Sequence, residues 1–140
     1  MQIIRCNDFL CKYNLVPSNL CSFCNMCTET TKHLFWECKY SQIFWSKLST
    51  FLNLKNITCN FTFKTVSLGT LSDYQIDKII HFIIIYAKRF IYTSKINNNI
   101  PCIDFFKNKL KNVINTERQI ALNLDKNEDY ERKWRHFLNL

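Results

Sequence analysis

Residues 21–38 read Cys21-Ser-Phe-Cys24-Asn-Met-Cys27-Thr-Glu29-Thr-Thr-Lys32-His33-Leu-Phe-Trp-Glu-Cys38, and the architecture of the chain follows from how this stretch is read. Cys21-Ser-Phe-Cys24 is a Cys-x2-Cys knuckle, whose tight turn aims two sulfurs at one point. His33 follows after eight residues and Cys38 after four more, which completes C-x2-C-x8-H-x4-C. Four such N/S donors close a tetrahedron and leave no position for water or substrate. The spacing therefore points to one structural zinc rather than a catalytic one, with a binding free energy that acts as folding free energy, on the order of 10–16 kcal/mol in zinc-finger peptides. One geometric condition attaches. Thr31 to Cys38 reads as a helix, where residues five apart point roughly 140° from each other, so the helix must loosen before Cys38. Cys27 competes for a ligand position, because Cys21, Cys24 and Cys27 form two successive Cys-x2 steps. Cys24 is preferred because it completes the simplest knuckle, which Cys27 would crowd. The plainer alternative is a set of buried thiols beside a surface histidine.

The rest of the chain surrounds this cluster with helices. Its 140 residues have room for a small metal-stapled module beside a modest helical core, and 47% hydrophobic residues suffice to bury one. A single Gly and two Pro disfavour folds built from many tight hairpins and favour helices joined by Asn- and Ser-containing loops. The one glycine, Gly69, also excludes phosphate-cradling glycine loops. The expected class is mainly α: a small CCHC zinc module followed by a short helical bundle. Its parts are a zinc-binding module with flanking helices over 1–55, a linker over 56–70 and a helical region over 71–140.

Within these bounds, Gln2 to Lys12 suits a short helix that Val16-Pro17-Ser18 breaks. Phe44, Leu48, Phe51 and Leu52 fall at i, i+4, i+7 and i+8, one face of a helix that Ser41 would cap. Cys59, Phe61 and Phe63 alternate with polar residues, which suits a short strand or, without an obvious partner, an extended loop. Ser72-Asp-Tyr-Gln75 reads as a capping box opening a helix to about Lys95, apolar on nearly all sides around Ile83, Ile84 and Ile85. Pro101 suits the first turn of another helix with Ile103, Phe106 and Leu110 on its stripe. Asn127 opens a last helix in which Tyr130, Trp134, Phe137 and Leu138 share a face. Cys6, Cys11, Cys59 and Cys102 stand alone and read as small hydrophobes, and His81 as a core or half-buried histidine.

At the N-terminus no apolar segment of signal-peptide form is seen, and the longest apolar run, Ile79 to Ala87, is far shorter than the roughly 20 residues a bilayer needs. The expectation is an intracellular protein, nuclear or cytoplasmic, with no membrane partner, whose clustered cysteines bind metal rather than form disulfides. Lys and Arg outnumber Asp and Glu by 19 to 11, a balance suited to polyanions, although an AT-rich coding bias alone would raise lysine.

Glu29-Thr-Thr-Lys-His33-Leu-Phe-Trp-Glu-Cys38, with the knuckle before it and Phe44-Trp45 after it, resembles the zinc-binding region at the C-terminal end of reverse transcriptases from LINE-type, non-LTR retrotransposons. The likeness continues through Val66-Ser-Leu-Gly69 and Ala87-Lys-Arg-Phe-Ile-Tyr92. It implies that Cys21, Cys24, His33 and Cys38 are the metal ligands, and that the region binds RNA or DNA in company with upstream polymerase domains. Polymerase chemistry does not carry over, since no Y/F-x-D-D motif is present, and no enzymatic activity is expected.

For nucleic-acid contact, Phe23 between the knuckle cysteines is a candidate stacking platform, with Lys32, Lys39, Lys88 and Arg89 as candidate phosphate contacts. Lys107, Lys109, Lys111, Arg132, Lys133 and Arg135 form a further basic group. The rival reading packs Phe23, Leu34, Phe35 and Trp36 into the core, leaves the lysines as solvated faces, and makes the region an architectural module that completes a larger polymerase. A zinc hydrolase would need a general base beside an open metal position, and neither Glu29 nor Glu37 lies in such a motif.

Overall fold

Six α-helices and one π-turn account for nearly all of the regular structure in a computed structural model that describes residues 5–68 and 75–138, the side chains of residues 68 and 75–77 excepted. The chain is mainly α, with the Cys/His cluster ahead of a helical bundle. The helices are α1 (Asn7–Lys12), α2 (Lys39–Leu54), α3 (Phe63–Leu68), α4 (Gln75–Ile96), α5 (Ile103–Asn123) and α6 (Asn127–Leu138), and the π-turn is His33–Glu37. Gly69 and Ser72, and with them the proposed capping box, lie outside the described residues. Among the described residues, no helix is long and apolar enough to cross a membrane.

With almost no glycine available, asparagine and aspartate supply the left-handed residues. Asn14, Asn56, Asn98 and Asp125 have φ of 55°, 60°, 56° and 55°, and each stands two residues past the end of α1, α2, α4 or α5. Their short polar side chains tolerate this conformation better than most. In all four cases the following amide reaches back over the last turn: Leu15 to Leu10, Ile57 to Leu52, Asn99 to Ser94 and Lys126 to Ala121. This is the Schellman closure, and after α2 it is sealed by two fully buried side chains, Ile57 and Leu52.

The alternating stretch before α3 resolves as neither wholly loop nor strand. Residues 58–62 carry no regular structure, but Phe63 begins a helix because Thr62 and Thr65 cap it reciprocally. The Thr65 amide donates to Thr62 Oγ1 at 3.2 Å, and the Thr62 amide donates to Thr65 Oγ1 at 2.9 Å. Ser41 also departs from expectation. α2 starts two residues earlier, and the buried Ser41 hydroxyl donates to the carbonyl of Leu34 in the π-turn instead of capping its own helix.

The core gathers where α2, α4 and α5 meet. Phe44 stacks on Phe90 at 5.6 Å and meets Phe106 edge-on at 5.4 Å, and Phe106 also reaches Phe90 and Tyr86. α4 buries Ile79, Ile80, Ile83, Ile84, Ala87, Phe90 and Ile91, while Ile85 faces outward. α6 folds back on α5 and fills the far end with Trp134, whose ring meets Phe82 and Phe137 and whose Nε1 donates to Glu117 at 2.6 Å.

Because Phe106 is fully buried among three rings, Phe106→Ala should cost about 3–5 kcal/mol in urea unfolding. Phe105→Ala, at a position 67% exposed, should stay within about 0.5 kcal/mol of the parent protein.

Candidate metal centre

The knuckle begins as a loop pinned at its base. Leu20 and Thr28 form an isolated antiparallel bridge, the Cys21 amide donates to the Cys27 carbonyl at 2.8 Å, and the Glu29 amide donates to the Asn19 carbonyl at 2.8 Å. Inside the loop the Asn25 amide donates to the Cys21 carbonyl at 3.0 Å, and Asn25 takes φ of 55°, turning the chain back on itself. The Phe23 amide points at Cys21 Sγ, 3.4 Å away.

His33 and Cys38 come together through the π-turn. The Cys38 amide donates to the His33 carbonyl, five residues back, at 2.8 Å, so the turn is one residue wider than an α-helical one. Cys38 then leaves the helix with ψ of 134°. The widening leaves the carbonyls of Leu34, Phe35 and Trp36 to be satisfied from elsewhere, and α2 does so. Ser41 Oγ takes the first, Trp45 Nε1 the second at 2.7 Å, and Gln42 Nε2 the third.

As a result the ligand atoms of Cys21, Cys24, His33 and Cys38 all lie within 4.8 Å of one another. Cys21 Sγ and Cys38 Sγ are 3.8 Å apart, and Cys24 Sγ lies 3.4 Å from His33 Nε2. A zinc tetrahedron with its usual bond lengths has S···S edges of about 3.8 Å and S···N edges of about 3.6 Å. The donor types and these two separations fit such an ion. Cys27 is exposed and outside the group; it contributes its backbone carbonyl to the knuckle instead.

The thiols differ in their readiness to ionise. Burial pushes Cys21 up to about 12 and raises Cys38, the latter only partly offset by the Tyr40 amide at the start of α2. Burial also acts on Cys24, but there the Met26 amide and the His33 ring outweigh it and hold the thiol down at about 6. Two buried thiols that resist ionisation alone need a nearby cation to exist as thiolates.

Sequence reasoning missed the most consequential neighbour of the cluster. Glu29 is fully buried, and its carboxylate accepts the Asn7 amide at 2.8 Å, the Ser22 amide at 2.6 Å and the Lys95 ammonium at 2.9 Å. Lys95 also donates to Asn7 Oδ1 at 2.9 Å and Ser22 Oγ at 3.2 Å, tying α1 and the knuckle to the end of α4. Burial raises the Glu29 carboxyl, yet Lys95 and the Ser22 amide outweigh it and hold the group below its ordinary value.

The candidate nucleic-acid residues divide. Phe23 is only 6% exposed and packs in the core, so its ring is not a platform for a base. Lys32, its Nζ 4.7 Å from the Phe63 ring, and half-buried Lys88 line one groove of about 330 Å³ with Trp36. Lys39, 5.0 Å over the Tyr40 ring, and exposed Arg89 line no part of it.

The chain matches no protein-family model, no curated protein and no solved structure.

Glu29→Gln strands the Lys95 ammonium in the interior and should cost about 3–5 kcal/mol at neutral pH, while Glu29→Gln with Lys95→Met should cost less than Glu29→Gln alone. A depressed carboxyl stabilises fully above its unfolded value, about 4.3, and the contribution is lost as pH falls through the folded value. Urea titrations of parent and Glu29→Gln protein should therefore differ by a constant amount from neutral pH down to about 5 and converge only in stronger acid.

Proposed function

We propose that Cys21, Cys24, His33 and Cys38 hold one structural zinc ion and that the protein is a nucleic-acid-binding module without catalytic activity of its own. It would be akin to the zinc-binding tail of LINE-type reverse transcriptases. The observation that carries the reading is the convergence of three thiols and an imidazole to within 4.8 Å of one another, two of their separations matching the edges of a zinc tetrahedron. With all four donors supplied by the chain, the ion would link residues 21–38 into one unit and leave no site for a reacting water. The resemblance in the Glu29-to-Trp45 segment is what suggests the family, and the cationic balance and the Lys32–Lys88 groove beside the cluster are what favour a polyanionic ligand.

A second reading, an architectural piece that docks on a larger polymerase, is favoured by the apolar side chains Phe9, Tyr13, Leu15 and Leu20, all exposed along the segment leading into the knuckle. A contact there would be compatible with nucleic-acid binding elsewhere.

Protein purified without chelator should carry one zinc per chain by elemental analysis, and Cys21→Ser and His33→Ala should each lose it together with cooperative unfolding. Metal-free protein that is fully folded would refute the site. Binding to RNA or DNA should weaken linearly with the logarithm of salt concentration, by about 0.7 per phosphate on single strands and about 0.9 on duplex DNA. A slope near zero would remove the nucleic-acid reading and leave the architectural one.

A further inference from the structure

We infer that a second groove, between α2, α5 and α6 and apart from the metal centre, holds a segment of single-stranded nucleic acid. The inference rests on the nucleic-acid reading above and assigns that binding to a particular face. The groove encloses about 420 Å³, and the charged side chains lining it are Lys55, Lys107, Lys111 and Arg118, every one a cation. On α5, Lys107, Lys111 and Arg118 stand at i, i+4 and i+11, one stripe of a helix about 16 Å long, room for several successive phosphates. None of the four is paired with a carboxylate among the described residues. Glu117, the neighbour of Arg118, is engaged elsewhere, by Lys133 at 2.9 Å through both its oxygens and by Trp134.

The floor of the groove is apolar and includes an aromatic ring. Phe51 is half-buried, its ring 6.2 Å from that of Phe137, and the ammoniums of Lys107 and Lys55 lie 4.9 Å and 5.9 Å from its centroid. These two ammoniums lie over the ring itself, so a base stacking on Phe51 would take their place and release them to the phosphates, combining the two contributions that hold single strands. A duplex keeps its base faces inside and would leave the ring unused, and an acidic peptide would use the cations alone.

Fluorescence anisotropy of a fluorescein-labelled oligo(U) of about 20 nucleotides tests the assignment on the full chain, with metal content and circular dichroism confirming that each variant is folded. The triple variant Lys107→Gln, Lys111→Gln, Arg118→Gln should lower the steepness of log affinity against log salt by about 2, at about 0.7 for each cation removed. Phe51→Leu, which keeps the apolar volume, should weaken binding about tenfold with the salt dependence unchanged. A second pair, Lys32→Gln with Lys88→Gln, reports on the groove beside the metal centre. If the parent protein binds and the triple variant binds with the same affinity and slope, this groove is refuted while nucleic-acid binding stands. Absence of oligo(U) binding by the parent overturns the groove assignment, and absence of salt-dependent binding to a duplex DNA of the same length as well overturns the nucleic-acid reading with it. Displacement of the oligonucleotide by poly-glutamate at equal charge concentration would show that the groove recognises acidic charge alone, and would also overturn the assignment.

Discussion

Three thiols and an imidazole pressed to within 4.8 Å of one another form the constraint from which the rest of this structure can be read. Ionised thiolates at such separations repel strongly in a poorly hydrated interior, and burial, with the neighbouring Cys38 and Cys24 adding to it, pushes Cys21 up to about 12. A divalent cation would resolve the conflict by favouring the thiolate form of all three. Glu29 makes a separate demand beside the knuckle: its buried carboxylate needs a cation of its own, and the Lys95 ammonium supplies it at 2.9 Å. That pairing is why a lysine in the last turn of α4 is folded inward.

The same constraint shapes the backbone. Bringing His33 and Cys38 to one ion requires a turn wider than an α-helix, and a wider turn strands carbonyls that the ladder would have satisfied. Ser41, Gln42 and Trp45 are spaced along the first turns of α2 to reach the carbonyls of Leu34, Trp36 and Phe35. Trp45 does this with its polar edge while its ring meets Phe44, which itself stacks on Phe90 of α4 and meets Phe106 of α5 edge-on. Geometry at the candidate ligands is thereby linked in two steps to the centre of the helical core, so the cluster and the bundle share one packed interior.

Much of this was legible in the sequence because it is local. Periodicity marks α2, α5 and α6 within a few residues, α4 was legible only through the Ser72-to-Gln75 signal ahead of a run apolar on nearly all sides, and ligand spacing marks both the four clustered donors and the need for the helix to loosen before Cys38. What was illegible depends on contacts remote in sequence or on competing local bonds. Glu29 and Lys95 meet across nearly half of the chain, and neither has a neighbour that announces the other. Phe23 sits in a motif where exposed and buried rings read alike, and only packing decides that it is buried. The alternation from Cys59 to Phe63 is a genuine period of two, cut short by a reciprocal threonine cap that pattern reading does not weigh. Ser41 suits a cap by residue type, but the stranded Leu34 carbonyl is the stronger claim on its hydroxyl.

Charge poses a different problem, since an excess of lysine arises from composition as readily as from selection for a polyanion. Distribution separates the two origins better than number does. Even with 19 Lys and Arg against 11 Asp and Glu, cations placed by composition alone would fall in part beside carboxylates, and several do: Lys12 pairs with Asp8, Arg132 with Asp129 and Lys133 with Glu117. α5 departs from that pattern. Its core face carries Ile103, Phe106 and Leu110, whereas the stripe through Lys107, Lys111 and Arg118 lines a groove whose charged walls are cationic only. Such a stripe raises the free energy of the isolated protein through self-repulsion and contributes nothing to its core. On a helix that otherwise places its residues by burial, such a stripe is what the anionic partner proposed above would engage, and the half-buried ring beneath it would meet a flat apolar surface of that partner.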